Sequence, residues 1–506
     1  MKSEYTTEVT IPDSNLNKIV HDELLIPMSD PLTSEDLARL VFISARNSDI
    51  ADLTGMEYCI NLRYADFSYN RISSLTPFSG NEAIQYLDIS YNFLEDIEAI
   101  SSIINIQNLN LRSANQGAYI DNHFDLSPLL ELSKISILDI SDNQITVCDV
   151  ISQLISLTEL TAEQFVINTE ESQKLSELVN LKKFITSDGK FTNVNFFSGM
   201  PDINYISLSR CYLFTDNSPF KDLSKLEYLA ITQNSTMQDI TPITENNNIK
   251  ILHFVDSIIT PDPIINMNNL IELQINNCGV TNLDFIVGCT SLINLNANSS
   301  TVTDISPVST LPNLQTLTIQ YSLISDLTSL ENCKSLVHLN IMNSLVTSFL
   351  PALNIPTVTS LNGGYNFLTS QEEYDLLTKK FGDNLFISYN YVYGRPEQFA
   401  FNYDSESIDI TTGESKFLSF PIYYTDDGFQ YAQLMGDSML EFCSVKTEDT
   451  SIASVSSDVV TPGSTGIDCV IQGNSSGSTL LFIKGANESV DLPFVSGYDS
   501  LTVNVA

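Results

Sequence analysis

Leu292-Ile293-Asn294-Leu295, Leu314-Gln315-Thr316-Leu317, Leu336-Val337-His338-Leu339 and Val358-Thr359-Ser360-Leu361 recur at an interval of 22 residues. Between them a second frame repeats, as in Asp304-Ile305-Ser306-Pro307-Val308 and Asp326-Leu327-Thr328-Ser329-Leu330. A fixed period of this length means that one short unit is stacked on itself, each copy burying its apolar side against the next. Followed outward, the central strand residue and its apolar partner two positions on run through Ala65/Phe67, Leu87/Ile89, Leu109/Leu111, Leu138/Ile140, Leu160/Ala162, Phe184/Thr186 and Ile206/Leu208. They continue through Leu229/Ile231, Leu252/Phe254, Leu273/Ile275, Leu295/Ala297, Leu317/Ile319, Leu339/Ile341 and Leu361/Gly363, fourteen rungs in all. Successive rungs are 21 to 24 residues apart except from 109 to 138, where an insertion falls near Asn115 to Asp125.

Within a rung such as Ile84-Gln85-Tyr86-Leu87-Asp88-Ile89-Ser90, a period of two sends Leu87 and Ile89 inward and leaves Tyr86, Asp88 and Ser90 outside. Three residues past the second apolar residue come Asn70, Asn92, Asn143 and Asn234, whose amides can pair with backbone groups freed at the turn. Other rungs put Cys211, Cys278, Ser257, Ser300, Ser322 or Ser344 there, which predicts a weaker polar ladder in the later repeats. The connections have room for a short turn or 3₁₀ segment, and Pro242 and Pro307 restrict anything longer.

The expected fold is therefore α/β, a curved leucine-rich-repeat solenoid with a parallel concave sheet over residues 49–366. Residues 1–48 read as a helical N-terminal cap. Asp13 or Ser14 starts a helix through Leu16, Ile19, Val20, Leu24 and Leu25, and Thr33 starts a second. Residues 367–396 read as a capping repeat and helix opened by Ser370-Gln371-Glu372-Glu373, with Leu385 to Asn390 as a last strand. Residues 397–506 read as a β-sandwich of seven short strands, among them Phe417–Tyr424, Ile452–Val455 and Leu501–Val505.

Composition narrows the function. Against 62 Asp+Glu stand only 23 Lys+Arg, a net charge of -39, which opposes binding to nucleic acid or anionic lipid. No apolar run of membrane-spanning length occurs, and Met1-Lys2-Ser3-Glu4-Tyr5 leads into no apolar signal core. None of the eight cysteines forms a CxxC pair, so neither metal nor cofactor is expected. Cys59, Cys289 and Cys333 each precede a strand-opening leucine by three residues and read as buried filler. The four histidines are scattered, and no acid, base and nucleophile fall together, so no enzyme activity is expected.

What remains is the concave face. Tyr64, Tyr86, Tyr205 and Tyr228, with Glu159 and His253, are its candidate partner-binding residues, because tyrosine offers the amphipathic area typical of interface hot spots. The late rungs, with Asn294, Asn296, Asn298, Thr316, Thr318 and Gln320, suit glycan binding or mere solvation.

The frames Asp239-Ile240-Thr241-Pro242-Ile243 and Asp304-Ile305-Ser306-Pro307-Val308, with Ile11-Pro12-Asp13-Ser14-Asn15-Leu16 in the cap, resemble the bacterial internalin-type proteins over residues 10 to 390. Some intracellular phosphatase regulators are similar in the same repeat. Thr450-Ser451-Ile452-Ala453-Ser454-Val455, Gly477 to Ile483 and Leu501 to Val505 resemble bacterial Ig-like group 2 modules of surface proteins. The segment Thr425 to Met439 is longer than that family's core requires. In such a module Cys443 and Cys469 admit two readings, a bridge across the sandwich or two buried thiols. The resemblance implies a monomeric, adhesin-like protein, secreted or at the cell surface, that binds a host or environmental protein. An intracellular leucine-rich-repeat scaffold or phosphatase regulator is the alternative.

Overall fold

The computed structural model describes residues 7–115, 125–366, 368, 370–387, 399–401, 407–413, 415–420, 422–426, 429–434, 443–447, 451–456, 467–485 and 501–505. It divides into two compact units, residues 1–344 with 354–360, and residues 345–353 with 361–506.

In the first unit the helix Ser14–Leu24 buries Leu16, Val20, His21 and Leu24. Leu25, read in sequence as part of that apolar face, instead ends the helix in a left-handed conformation and is 90% exposed. Strands Glu8–Val9 and Leu32–Thr33 pair antiparallel around the helix. Thr33 and Asp36 then form a reciprocal capping box for the short helix Ser34–Leu37. Asp13 ties this region to the array. Its Oδ1 accepts from the amides of Asn15 (3.0 Å) and Leu16 (3.1 Å), and its Oδ2 from those of Ala51 (2.9 Å) and Asp52 (3.4 Å).

Partial burial alone would raise the Asp13 carboxyl, but the four amides outweigh it and hold the group below its ordinary value. A depressed folded-state pKa stabilises above the unfolded value and is lost as pH falls through the folded one. Asp13→Ala is therefore expected to cost about 1 kcal/mol at neutral pH in urea titrations, the usual loss for an N-cap, and to cost progressively less below about pH 4. A gap that stays constant down to the acid transition would contradict this account.

Fourteen strands, from Phe42–Ser44 to His338–Asn340, follow one another in sequence order in a parallel sheet. The register keeps each inward residue opposite its counterpart, as in Leu87↔Leu109, Leu109↔Leu138 and Leu229↔Leu252. Leu109 and Leu138 pair directly across the insertion, most of which lies outside the described residues. The sheet starts one rung earlier than the repeat register indicates, because Phe42–Ser44, inside the segment read as cap, pairs with Tyr64–Asp66. Most strands are three residues long, but the five between Lys183 and Asn276 extend to five. Behind them Phe184, Phe191, Phe196, Phe197, Phe214 and Phe220 pack ring to ring, each fully buried and worth roughly 2 kcal/mol of apolar transfer.

After each strand one residue takes positive φ, including Tyr69, Tyr91, Asp142, Gln233 and Tyr321, and the next residue fills the turn. In three of the early rungs that residue is a buried asparagine, Asn70, Asn92 or Asn143, while Ala114 and Phe165 fill the slot in others. Asn92 Nδ2 donates to the carbonyls of Phe67 (3.0 Å), Ile89 (3.0 Å) and Ser90 (3.2 Å), and its Oδ1 accepts from the Ile72 amide (2.9 Å). The later rungs substitute less. Ser322 and Ser344 share one hydroxyl bond of 2.8 Å, and Ser300 Oγ is buried without a partner. The connections are mostly 3₁₀ turns, but Thr169–Lys174 and Thr241–Thr244 close as α-helical turns.

The second unit contains the helix Gln371–Phe381, whose first turn is capped by Ser370 Oγ accepting from the Glu373 amide (3.2 Å). Glu373 turns inward and accepts from Ser348 Oγ (3.0 Å) and the Phe349 amide. Leu361 and Asn362 pair in parallel with Leu385 and Phe386. Gly363 breaks the apolar pattern because a side chain there would meet the Phe349 ring at 2.5 Å.

Further along, three small sheets are described. Ser407–Ile410, Leu501–Val505, Gly477–Gly485 and Cys443–Thr447 form one, and Ser415–Phe420, Ile467–Gly473 and Ala453–Ser456 another. The stretch read as a single strand from Phe417 to Tyr424 is two. Its second half, Ile422–Asp426, leaves to pair with Phe399–Phe401 and Phe429–Leu434, which accounts for the long segment after Thr425. The side chains of Cys443 and Cys469 lie outside the described residues.

Candidate functional site

Two groups of side chains stand out on the exposed face of the sheet. The first is a row along the longest strands. Lys183, Tyr205, Tyr228 and Ile251 occupy the same strand position, paired in register, with Glu159 one rung before and Glu272 one after. The Tyr205 and Tyr228 rings stack at 3.9 Å and 3°. Lys183 Nζ sits 5.4 Å from the Tyr205 ring centroid and 3.4 Å from Glu159 Oε2.

His253 belongs to the neighbouring column, opposite Ala230, whose small side chain leaves it room. From there it reaches diagonally, 3.3 Å from Nδ1 to the Tyr228 hydroxyl and 2.7 Å from Nε2 to Glu272 Oε1. Burial, the Tyr205 hydroxyl and the Glu272 charge together push the Tyr228 phenol above its ordinary value. Four of the residues singled out in the sequence, Glu159, Tyr205, Tyr228 and His253, thus lie in one row, with Lys183 between Glu159 and Tyr205 and Glu272 beyond His253.

Tyr64 and Tyr86 lie apart from that row, near the start of the array. They stack on each other at 4.2 Å, and Phe42 stacks on Tyr64 at 4.7 Å. At the far end of the same rungs Tyr69 and Tyr91 stack at 4.2 Å, with the Arg46 guanidinium 4.4 Å over Tyr69. Sequence reasoning missed Phe42, Tyr69 and Tyr91. The identical Ser68-Tyr69-Asn70 and Ser90-Tyr91-Asn92, one repeat apart, carried the signal for the last two.

The late amides are largely occupied. Asn276 Oδ1 accepts from the Asn298 amide (3.0 Å) and Asn298 Oδ1 from the Gln320 amide (2.8 Å), each tying one rung to the next. Among the described residues no group of His, Cys, Asp and Glu is arranged to hold a metal, and no helix is long and apolar enough to cross a membrane. The six described cysteines are buried free thiols, and burial pushes those of Cys59 and Cys289 up to about 12. Cys289 Sγ donates to the Ile264 carbonyl at 3.3 Å and Cys278 Sγ to that of Phe254 at 3.3 Å, so these thiols pack against the preceding rung.

No family model and no curated protein matches the chain. Solved structures do. The functional domain of InlJ from Listeria monocytogenes, which includes a cysteine ladder, is 17% identical, with 100% of this chain and 98% of that one covered and a TM-score of 0.54. The leucine-rich-repeat protein LIC12759 of Leptospira interrogans is 20% identical over 68% of this chain and 89% of its own, with a TM-score of 0.57. The chain has a leucine-rich-repeat fold. At these identities the likeness is one of fold.

Proposed function

We propose that this leucine-rich-repeat protein is a non-enzymatic, adhesin-like binding protein, secreted or at the cell surface, whose partner is a protein gripped by the sheet face. Contacts are centred on Tyr205 and Tyr228, flanked by Glu159 and His253, with Tyr64 and Tyr86 as an outlying set. Residues 397–506 serve as an Ig-like spacer. The observation that carries this reading is the tied row from Glu159 to Glu272. Rings and charges already held on both sides lose little side-chain freedom when a partner arrives, and tyrosines so placed make effective anchors.

Binding of the labelled chain to intact cells and to a panel of purified extracellular domains tests the proposal. Tyr205→Ala with Tyr228→Ala should weaken the strongest interaction at least about tenfold while moving Tm by no more than a few degrees, since neither ring enters the core. Unchanged affinity in that titration removes the row as the binding surface. One observation favours an intracellular scaffold instead: all six described cysteines are free, as a reducing compartment would keep them. Protease accessibility of the protein on intact source cells separates the two readings.

A further inference from the structure

His253 joins two parts of the row, and its bonding fixes where two hydrogens lie. It projects from strand Ile251–Val255 and reaches Tyr228 on the strand before and Glu272 on the strand after. Its side chain is 15% exposed, so a proton from solvent can reach it. A carboxylate only accepts, so the 2.7 Å contact to Glu272 Oε1 puts the hydrogen of neutral His253 on Nε2. Nδ1 then carries the lone pair, and the Tyr228 hydroxyl donates to it across 3.3 Å. The second oxygen of Glu272 accepts from Asn294 Nδ2 (3.4 Å), which steadies the carboxylate against the ring.

Protonation reverses half of this arrangement. With hydrogens on both nitrogens, His253 keeps its bond to Glu272, and the bond is strengthened by charge. Nδ1 has become a donor, and Tyr228 can answer it only with its oxygen. Rotation about the C–O bond achieves that and turns the phenolic hydrogen away from His253. The neighbouring phenol is Tyr205, whose ring stacks on Tyr228 at 3.9 Å. If the Tyr205 oxygen takes the hydrogen, the hydrogen of Tyr205 is turned out in its place. Either way, one added proton frees one phenolic hydrogen.

The groups that face His253 are few. Strand Tyr228–Thr232 brings Tyr228 as its only titratable side chain, and strand Glu272–Asn276 brings Glu272. The register partners of His253, Ala230 and Gln274, do not titrate. Glu227 and Lys250, at the entry to these strands, pair with each other at 2.7 Å, and Asp256, past the exit, accepts from Asn277 Nδ2 (2.9 Å). Lys183, the cation of the row, is engaged by Glu159 and the Tyr205 ring.

We propose that His253 is a proton-operated switch in the hydrogen-bond polarity of the tyrosine row. While His253 is neutral, Tyr228 offers a partner only oxygen lone pairs, and Glu159 and Glu272 at the two ends are acceptors as well. That surface fits a partner segment that brings N–H donors. Once His253 is protonated, a phenolic hydrogen meets those donors, and the contact weakens. The proposal rests on the row being the binding surface and adds its control by a proton.

The first test needs no partner. Ring-nitrogen chemical shifts of the histidine-labelled full chain report tautomer and protonation, and Cζ shifts of the tyrosine-labelled chain report which way a phenol bonds. His253→Gln and Tyr228→Phe assign the signals, and thermal melts establish that each variant is folded. Neutral His253 should carry its hydrogen on Nε2, and Tyr228 Cζ should move in a single step with the His253 midpoint between about pH 8 and about pH 5. The step should vanish in His253→Gln and persist in His338→Gln, which removes an exposed histidine of strand His338–Asn340. A neutral Nδ1–H tautomer in the wild type would overturn the switch without any variant. So would a Tyr228 signal indifferent to His253, or a step that survives His253→Gln. With the strongest protein of the binding panel, acidification over the same range should weaken the wild type at least about threefold more than His253→Gln. Equal weakening in the two would also overturn the switch. If the proton step is absent while Tyr205→Ala with Tyr228→Ala still loses that protein, the row stands and only the switch is withdrawn. If the step is present and the double variant binds as the wild type does, the row is not the binding surface and the switch falls with it.

Discussion

Asn92→Ala is expected to lower the stability of the array by about 3–4 kcal/mol in urea titrations, a large loss for one polar side chain. Asn92 is fully buried, and its removal strands the Ile89 carbonyl and the Ile72 amide, while the Phe67 carbonyl keeps only Asn70 Nδ2 (2.9 Å) and the Ser90 carbonyl only the Tyr69 amide (2.9 Å). Each buried group left without a partner costs about 1–3 kcal/mol, tempered by local relaxation. Ser322→Ala, at the equivalent slot, removes a hydroxyl bond of 2.8 Å to Ser344 and a long one of 3.5 Å to the Ile319 carbonyl and should cost about 1 kcal/mol. Equal costs at the two positions would show that the asparagine ladder is incidental to the turn.

The second large effect comes from the opposite side of the repeat. A Cβ on Gly288 would lie 1.9 Å from the Ile265 carbonyl oxygen, and one on Gly199 would lie 2.2 Å from that of Ser176. Both glycines stand one residue before the slot filled by Cys289 or Met200, and both touch the backbone 23 residues earlier. Backbone cannot rotate away as a side chain can, so the two rungs must part. Gly288→Ala should destabilise by about 3 kcal/mol. Hydrogen exchange should show faster opening of the Ile293 amide, which donates to the Ile271 carbonyl in the same pair of rungs. Protection like that of the wild type would mean that the connections have slack the geometry does not reveal.

Periodicity made the array legible because inward leucines recur whatever the outward residues are. It reached fourteen rungs and stopped at Ala65, although Leu40, Ile43 and Ala45 already follow the frame, because the helical reading of the preceding segment absorbed them. Leu25 was misplaced for a related reason: an apolar residue next to an amphipathic helix fits its pattern until the αL cap turns it outward. Period two also placed Tyr205, Tyr228 and His253 on the correct face. It could not show that the two rings consume each other's faces, nor that Ala230 frees His253 to cross to Glu272. Those are side-chain orientations, and they decide how much of a tyrosine remains for a partner.

The in-register pairing of the strands makes the array a ruler. Tyr86 and Tyr205 are five rungs apart, about 24 Å at the usual spacing of parallel strands, and neither can slide because a one-residue slip would turn every leucine to solvent. A partner with two contact elements at that separation would engage both patches, the second at high effective concentration once the first had bound. A partner whose elements lay closer together would engage only one, so distance as well as chemistry sorts the ligands of this face.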